Sequence, residues 1–153
     1  MSPRDWHEAW GAVAEDALAR AVSTLPPAPA PGILDVGAGL GMAWPALAAR
    51  GGPITAIETD ADLVAASRPR AASLGVEVHH ADVRSWLDRG DARYGLIWAG
   101  DVLWCNYFPD PQAIVHRLMQ SLVPGGRLAV FTGNCMPAGS CGATPTSSAP
   151  CFE

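Results

Sequence analysis

The chain has 153 residues, enough for one domain with a buried core. Apolar residues make up 49% and charged residues 16%, a globular balance, and no apolar run approaches the ~20 residues of a membrane-spanning helix. A formal net charge of −5, with ten scattered Lys and Arg, speaks against a phosphate-backbone surface; a small molecule is the expected partner, not nucleic acid or a membrane.

The opening residues carry no basic segment followed by an apolar one, so no export signal is read and the expected location is cytoplasmic. Cys105, Cys135, Cys141 and Cys151 match no zinc spacing and are read as free thiols, with no metal expected.

Residues 6–25 predict an amphipathic helix, with Trp6, Trp10, Val13, Ala17 and Ala21 on one apolar face. Pro26, Pro27, Pro29 and Pro31 stop it and form a stiff connector. Strands then alternate with helices. Residues 33–36 read as a first buried strand and 42–50 as a helix with Pro45 in its first turn. Residues 54–57 form a second strand, and 62–74 a second helix that Pro69 is expected to kink or split. A third strand at 76–79 precedes a short helix at 85–89, and a fourth strand falls at 96–99. Asp110-Pro111 caps a helix running to about Leu122, and Val123-Pro124-Gly125-Gly126 turns the chain into a fifth strand at 127–132.

Five strands with intervening helices predict an α/β fold: a parallel sheet with right-handed crossovers and ligands at the carboxyl ends of its strands. The expected units are 1–31 (helix and connector), 32–132 (the ligand-binding domain) and 133–153, a low-complexity tail expected to be disordered.

The strongest motif is Asp35-Val36-Gly37-Ala38-Gly39-Leu40-Gly41, where the first strand meets the first crossover helix. Glycines there permit a sharp turn and a close ligand approach. The third glycine, Gly41, comes one residue too early for a dinucleotide fingerprint, whose last glycine would stand at Met42. An acid two residues before the first glycine suits a cationic group better than a pyrophosphate.

This pattern resembles motif I of class I S-adenosylmethionine-dependent methyltransferases, and the resemblance runs over residues 32–132. It implies a three-layer Rossmann-like doubly wound sheet in the order 3-2-1-4-5. It also implies a cofactor, S-adenosyl-L-methionine, with S-adenosyl-L-homocysteine as product. Asp35 with Gly37, Ala38, Gly39 and Gly41 would hold its methionine portion, and Glu58, followed by Thr59, its ribose hydroxyls. Asp82 and Val83 would meet the adenine, and Asp101, after the fourth strand, the sulfonium or the acceptor. The catalytic candidates are Asp101 and His7, ahead of His79 and His80. The segment 103–109 lacks the Asn/Asp-Pro-Pro-Tyr/Phe of amino methyltransferases, and its aromatics are expected to bury against the sheet.

In the family the sheet continues past the fifth strand, where this chain has its tail, so the resemblance also implies truncation there. The open fifth-strand edge would call for a homodimer or another partner. Three readings stay open: a small-molecule methyltransferase working by proximity, a non-catalytic cofactor-binding fragment, and a nicotinamide-dependent oxidoreductase disfavoured by Asp35 and Met42.

Overall fold

The computed structural model describes residues 3–90, 93–103 and 108–132. The readings of the tail 133–153, of the four cysteines, of residues 104–107 and of the side chains of Trp6, His7, Trp10 and Val13 lie outside the described residues.

Ten elements follow one another: α1 (Pro3–Ser23), β1 (Ile33–Val36), α2 (Trp44–Ala48), β2 (Ile54–Glu58), α3 (Ala61–Leu74), β3 (Val76–His80), α4 (Val83–Leu87), β4 (Tyr94–Gly100), α5 (Pro111–Gln120) and β5 (Leu122–Phe131). Every strand pair is parallel and the order is β3-β2-β1-β4-β5, the doubly wound order that the resemblance implied.

Helices cover both faces, which is why β1 and β4 read as near-continuous apolar runs. On one face Ala14, Leu18 and Val22 of α1, Trp44 and Leu47 of α2 and Ala71 of α3 pack on Ile33, Ile54, Ala56, Leu96 and Trp98. On the other, Val83 and Trp86 of α4, Ile114 and Leu118 of α5, and Phe108 pack on Leu34, Val36, Ile57, Ile97 and Ala99. Phe108 thus takes the burial expected of its segment.

Four details correct the sequence reading. The buried stripe of α1 runs through Gly11, Ala14, Leu18 and Val22, with Ala17 and Ala21 half-buried at its margin. Pro69 does not split α3, which continues through it for 14 residues. Both Pro69 and Ala65 are exposed, so the carbonyl that loses its N–H partner turns to water. The ends of α3 are also secured: Asp60 accepts from the N–H groups of Asp62 and Leu63, and Gly75 closes the helix in the left-handed conformation.

Helices α2 and α5 are shorter than predicted, and α4 starts earlier, at Val83, because Asp82 is its cap. Last, β5 already pairs with β4 at Leu122, across from Tyr94. The next partners are Leu96 and Arg127, so β4 advances two residues while β5 advances five, and the Pro-Gly-Gly turn is a bulge inside the strand.

Candidate functional site

The carboxyl ends of β1, β2, β3 and β4 bring the loop 37–41, Glu58, Asp82 and Asp101 to one edge of the sheet. The glycines of the loop hold backbone conformations that other residues resist: φ is 67° at Gly37, 55° at Gly39 and 73° at Gly41. A Cβ on Gly37 would run into Val102, and one on Gly41 into the Trp44 ring. Main-chain bonds fix the path, with Gly37 and Ala38 N–H both donating to Ile57 O (2.9 and 3.1 Å) and Gly41 N–H to Ala38 O (2.9 Å).

Glu58 ties this loop to the end of β2. It is 8% exposed, and its Oε2 accepts from Gly39 N–H at 2.9 Å. Oε1 accepts from the N–H groups of Thr59 (2.7 Å) and Asp60 (3.0 Å), and from the Thr59 hydroxyl at 3.3 Å. A carboxylate offers about four acceptor positions, two per oxygen, so Oε2 keeps one for a further donor.

Asp35 lies deeper, 3% exposed, on the face of β1 that Ala56 and Trp98 share as register partners. Its Oδ2 accepts from the indole Nε1–H of Trp44 at 2.8 Å. Burial pushes its pKa up to about 7; the indole bond opposes that rise and the charge of Glu58 adds to it. The residue is therefore poised between acid and carboxylate near neutrality.

Asp82 caps α4, accepting from Arg84 N–H at 2.8 Å, and binds the Arg84 guanidinium through both oxygens (3.0 and 3.1 Å). The side-chain bond to Arg84 holds its pKa below the usual carboxylate range. Val83, the first residue of α4, is buried. Asp101 has φ 53°, a left-handed conformation uncommon for a residue with a side chain, and its N–H donates to Phe131 O at 2.8 Å. His80 Nε2 lies 2.9 Å from Thr59 O, and His79 pairs with Glu77 (3.0 Å) and packs on Trp86. His7 sits on α1, away in sequence from these strand ends, and its side chain is outside the described residues.

The structure thus gathers Asp35, Gly37, Ala38, Gly39, Gly41, Glu58, Thr59, Asp82, Val83 and Asp101 along one edge. Two participants were not read from the sequence, Trp44 and Arg84. A signal for Trp44 existed: a tryptophan amid small residues at the start of a buried helix needs an acceptor for its N–H. Among the described residues no group of three His, Cys, Asp or Glu forms a metal cluster, and no helix is long and apolar enough to cross a membrane.

A five-stranded parallel sheet in this order, with an acid in β1, three glycines after it and an acid ending β2, defines the class as Rossmann-like methyltransferase folds. The chain belongs to the methyltransferase domain family, whose description matches residues 34–130. It is 35% identical over 104 residues to the ubiquinone biosynthesis O-methyltransferase of Xylella fastidiosa (strain 9a5c), covering 67% of this chain and 42% of that protein. To the trans-aconitate 2-methyltransferase of Rhizobium meliloti (strain 1021) it is 34% identical over 119 residues, 76% of this chain and 42% of that one. Among solved structures, the CcbJ methyltransferase from Streptomyces caelestis superposes with a TM-score of 0.62 at 26% identity, over 76% of this chain and 48% of that chain. A plantazolicin methyltransferase, BpumL, solved with a monoazolic desmethylPZN analog and SAH, shares the fold at a TM-score of 0.61 and 14% identity, over 83% of this chain and 49% of that one. The chain spans less than half the length of the curated relatives it matches.

Proposed function

We propose that this chain binds S-adenosyl-L-methionine and takes part in methyl transfer to a small-molecule acceptor. The observation that carries the reading is the bond from Gly39 N–H to Glu58 Oε2, which joins a left-handed glycine loop to an acid with acceptor capacity left over. The residues fit the group: three left-handed glycines turn the loop tightly over the end of β1, Glu58 suits a ribose hydroxyl, and Asp35 suits an ammonium.

Asp35 and the loop 37–41 would hold the methionine portion, with Glu58 and Thr59 at the ribose and Asp82 and Val83 at the adenine. Asp101 would face the sulfonium or the acceptor. When bound, the cofactor supplies a methyl group already activated as an electrophile by the sulfonium. The chain's own part is then orientation and exclusion of water, which lower the barrier without a general base. Relatives named for a quinone-pathway O-methylation and for trans-aconitate support a small-molecule acceptor, and a net charge of −5 agrees. Cytoplasmic location belongs to the same proposal.

The share of each relative that the chain spans favours a second reading, a cofactor-binding portion that needs further chain, a second copy or another partner to act. Calorimetric titration with S-adenosyl-L-homocysteine tests the common part. Micromolar binding, abolished by Gly39→Arg, is expected; a folded chain without heat of binding contradicts the proposal. Methyl transfer to any acceptor by the chain alone then separates the two readings.

A further inference from the structure

Resting on the proposed cofactor site, we propose that Trp44 is a positioning residue whose indole N–H orients the Asp35 carboxyl group at the glycine loop while its ring fixes the path of the loop at Gly41. Three observations converge. The indole donates to Asp35 Oδ2 at 2.8 Å, and Trp44 has no exposed surface. Its six-membered ring occupies the place that a Cβ on Gly41 would need, and the Trp44 backbone N–H donates to Gly41 O at 3.2 Å. One side chain therefore touches the acid that opens the motif and the glycine that closes it.

The charges around Asp35 make this hydrogen bond consequential. From β2 comes Glu58, whose negative charge opposes ionisation. From α3, Arg70 reaches Gly41 O at 3.4 Å and is itself paired with Glu15 of α1 at 3.6 Å. Asp101 follows β4, and the β4 register partner of Asp35 is the uncharged Trp98. Against burial and a neighbouring acid, the indole donor is what favours the carboxylate. A ligand ammonium prefers that carboxylate, so affinity should climb with pH through a midpoint near 7.

Trp44→Phe keeps a ring in the core and removes the donor. A hydrogen bond to a charged group is worth roughly tenfold in an equilibrium, or about one pH unit. In titrations with S-adenosyl-L-homocysteine the variant should bind about fivefold more weakly than wild type at pH 7 and nearly equally at pH 9. Taking the ratio of the two affinities at each pH cancels the ligand's own titration. A ratio that stays constant with pH, at any value, overturns the proposal, because a merely structural loss would not recover.

An ¹⁵N-indole NMR titration of the ligand-free wild-type chain stands apart from the cofactor reading and from the folding of the variant. The Trp44 resonance should move with a midpoint near pH 7, and that movement should vanish in Asp35→Asn. A resonance that stays still across pH 5–9 refutes the link between Trp44 and Asp35. Failure of the wild-type chain to bind, with the resonance titrating, would count against the cofactor reading alone.

Discussion

Replacing Glu58 by Gln keeps the shape of a buried side chain and exchanges one acceptor oxygen for an NH₂ group. In the native chain Oε1 takes three donors, from Thr59 N–H, Asp60 N–H and the Thr59 hydroxyl, and Oε2 takes Gly39 N–H. The amide will keep its oxygen toward the three and turn its NH₂ toward Gly39. One hydrogen bond to a charged acceptor is then lost and a buried N–H is left facing another donor, a cost of about 2–3 kcal/mol. For a chain of this length each kcal/mol lowers Tm by roughly 2–4 °C, so the variant should melt about 4–12 °C below wild type. Far-UV circular dichroism melts of the ligand-free proteins at pH 7 read this directly. Melting within a degree of wild type would mean that the carboxylate does not anchor the glycine loop, and the fit argument built on it would fall.

Gly41→Ala meets both a left-handed backbone and the Trp44 ring, so urea unfolding should show a loss of about 2–4 kcal/mol. Gly75→Ala has a similar φ with open space around it and should lose only about 1 kcal/mol; equal losses would show that the ring contact is unimportant. Asp35 carries a folded-state pKa above its unfolded value, so its favourable contribution is complete below about pH 4 and disappears as pH rises through about 7. Asp35→Asn, whose carbonyl still accepts from the indole, should therefore gain up to a few kcal/mol over wild type between pH 4 and pH 8 while losing ligand affinity; a difference that does not vary with pH contradicts the assignment. Asp82→Ala removes a cap and should cost about 1 kcal/mol at pH 7. Since Arg84 lowers the pKa of Asp82, that difference should fade as pH falls below about 4, and a chemical denaturation series across pH 2–7 measures it.

The layers and the strands were legible because burial on both faces writes itself as short apolar runs such as Ile33-Leu34 and Leu96-Ile97, ended by glycine or acid. The glycine loop was legible too, since its three left-handed positions leave few alternatives to glycine. The stripe of α1 was misread by one residue because Trp6 and Trp10 dominated the count, while a glycine, Gly11, lies against Met42. The tolerance of Pro69 depends on which side of α3 faces water, and the bulge in β5 on a register with β4; neither is a local property. Trp44 and Asp35 meet only when a strand and a helix pack, and Asp82 chooses Arg84 from within its own turn, so neither pairing shows as a motif.

The proline-rich stretch between α1 and β1 reads from its composition as a stiff connector, and the fold also stitches it down. Ala28 N–H donates to Arg50 O at 2.8 Å, and the Arg50 guanidinium reaches back to Leu25 O at 2.8 Å. Pro29 O comes so close to Gly95 that no side chain could stand there. The connector that carries α1 is therefore tied at both Arg50 and Gly95 and is no free hinge at these prolines. A protease site or a foreign segment engineered into this stretch would have to break that seam before the domain noticed a cut.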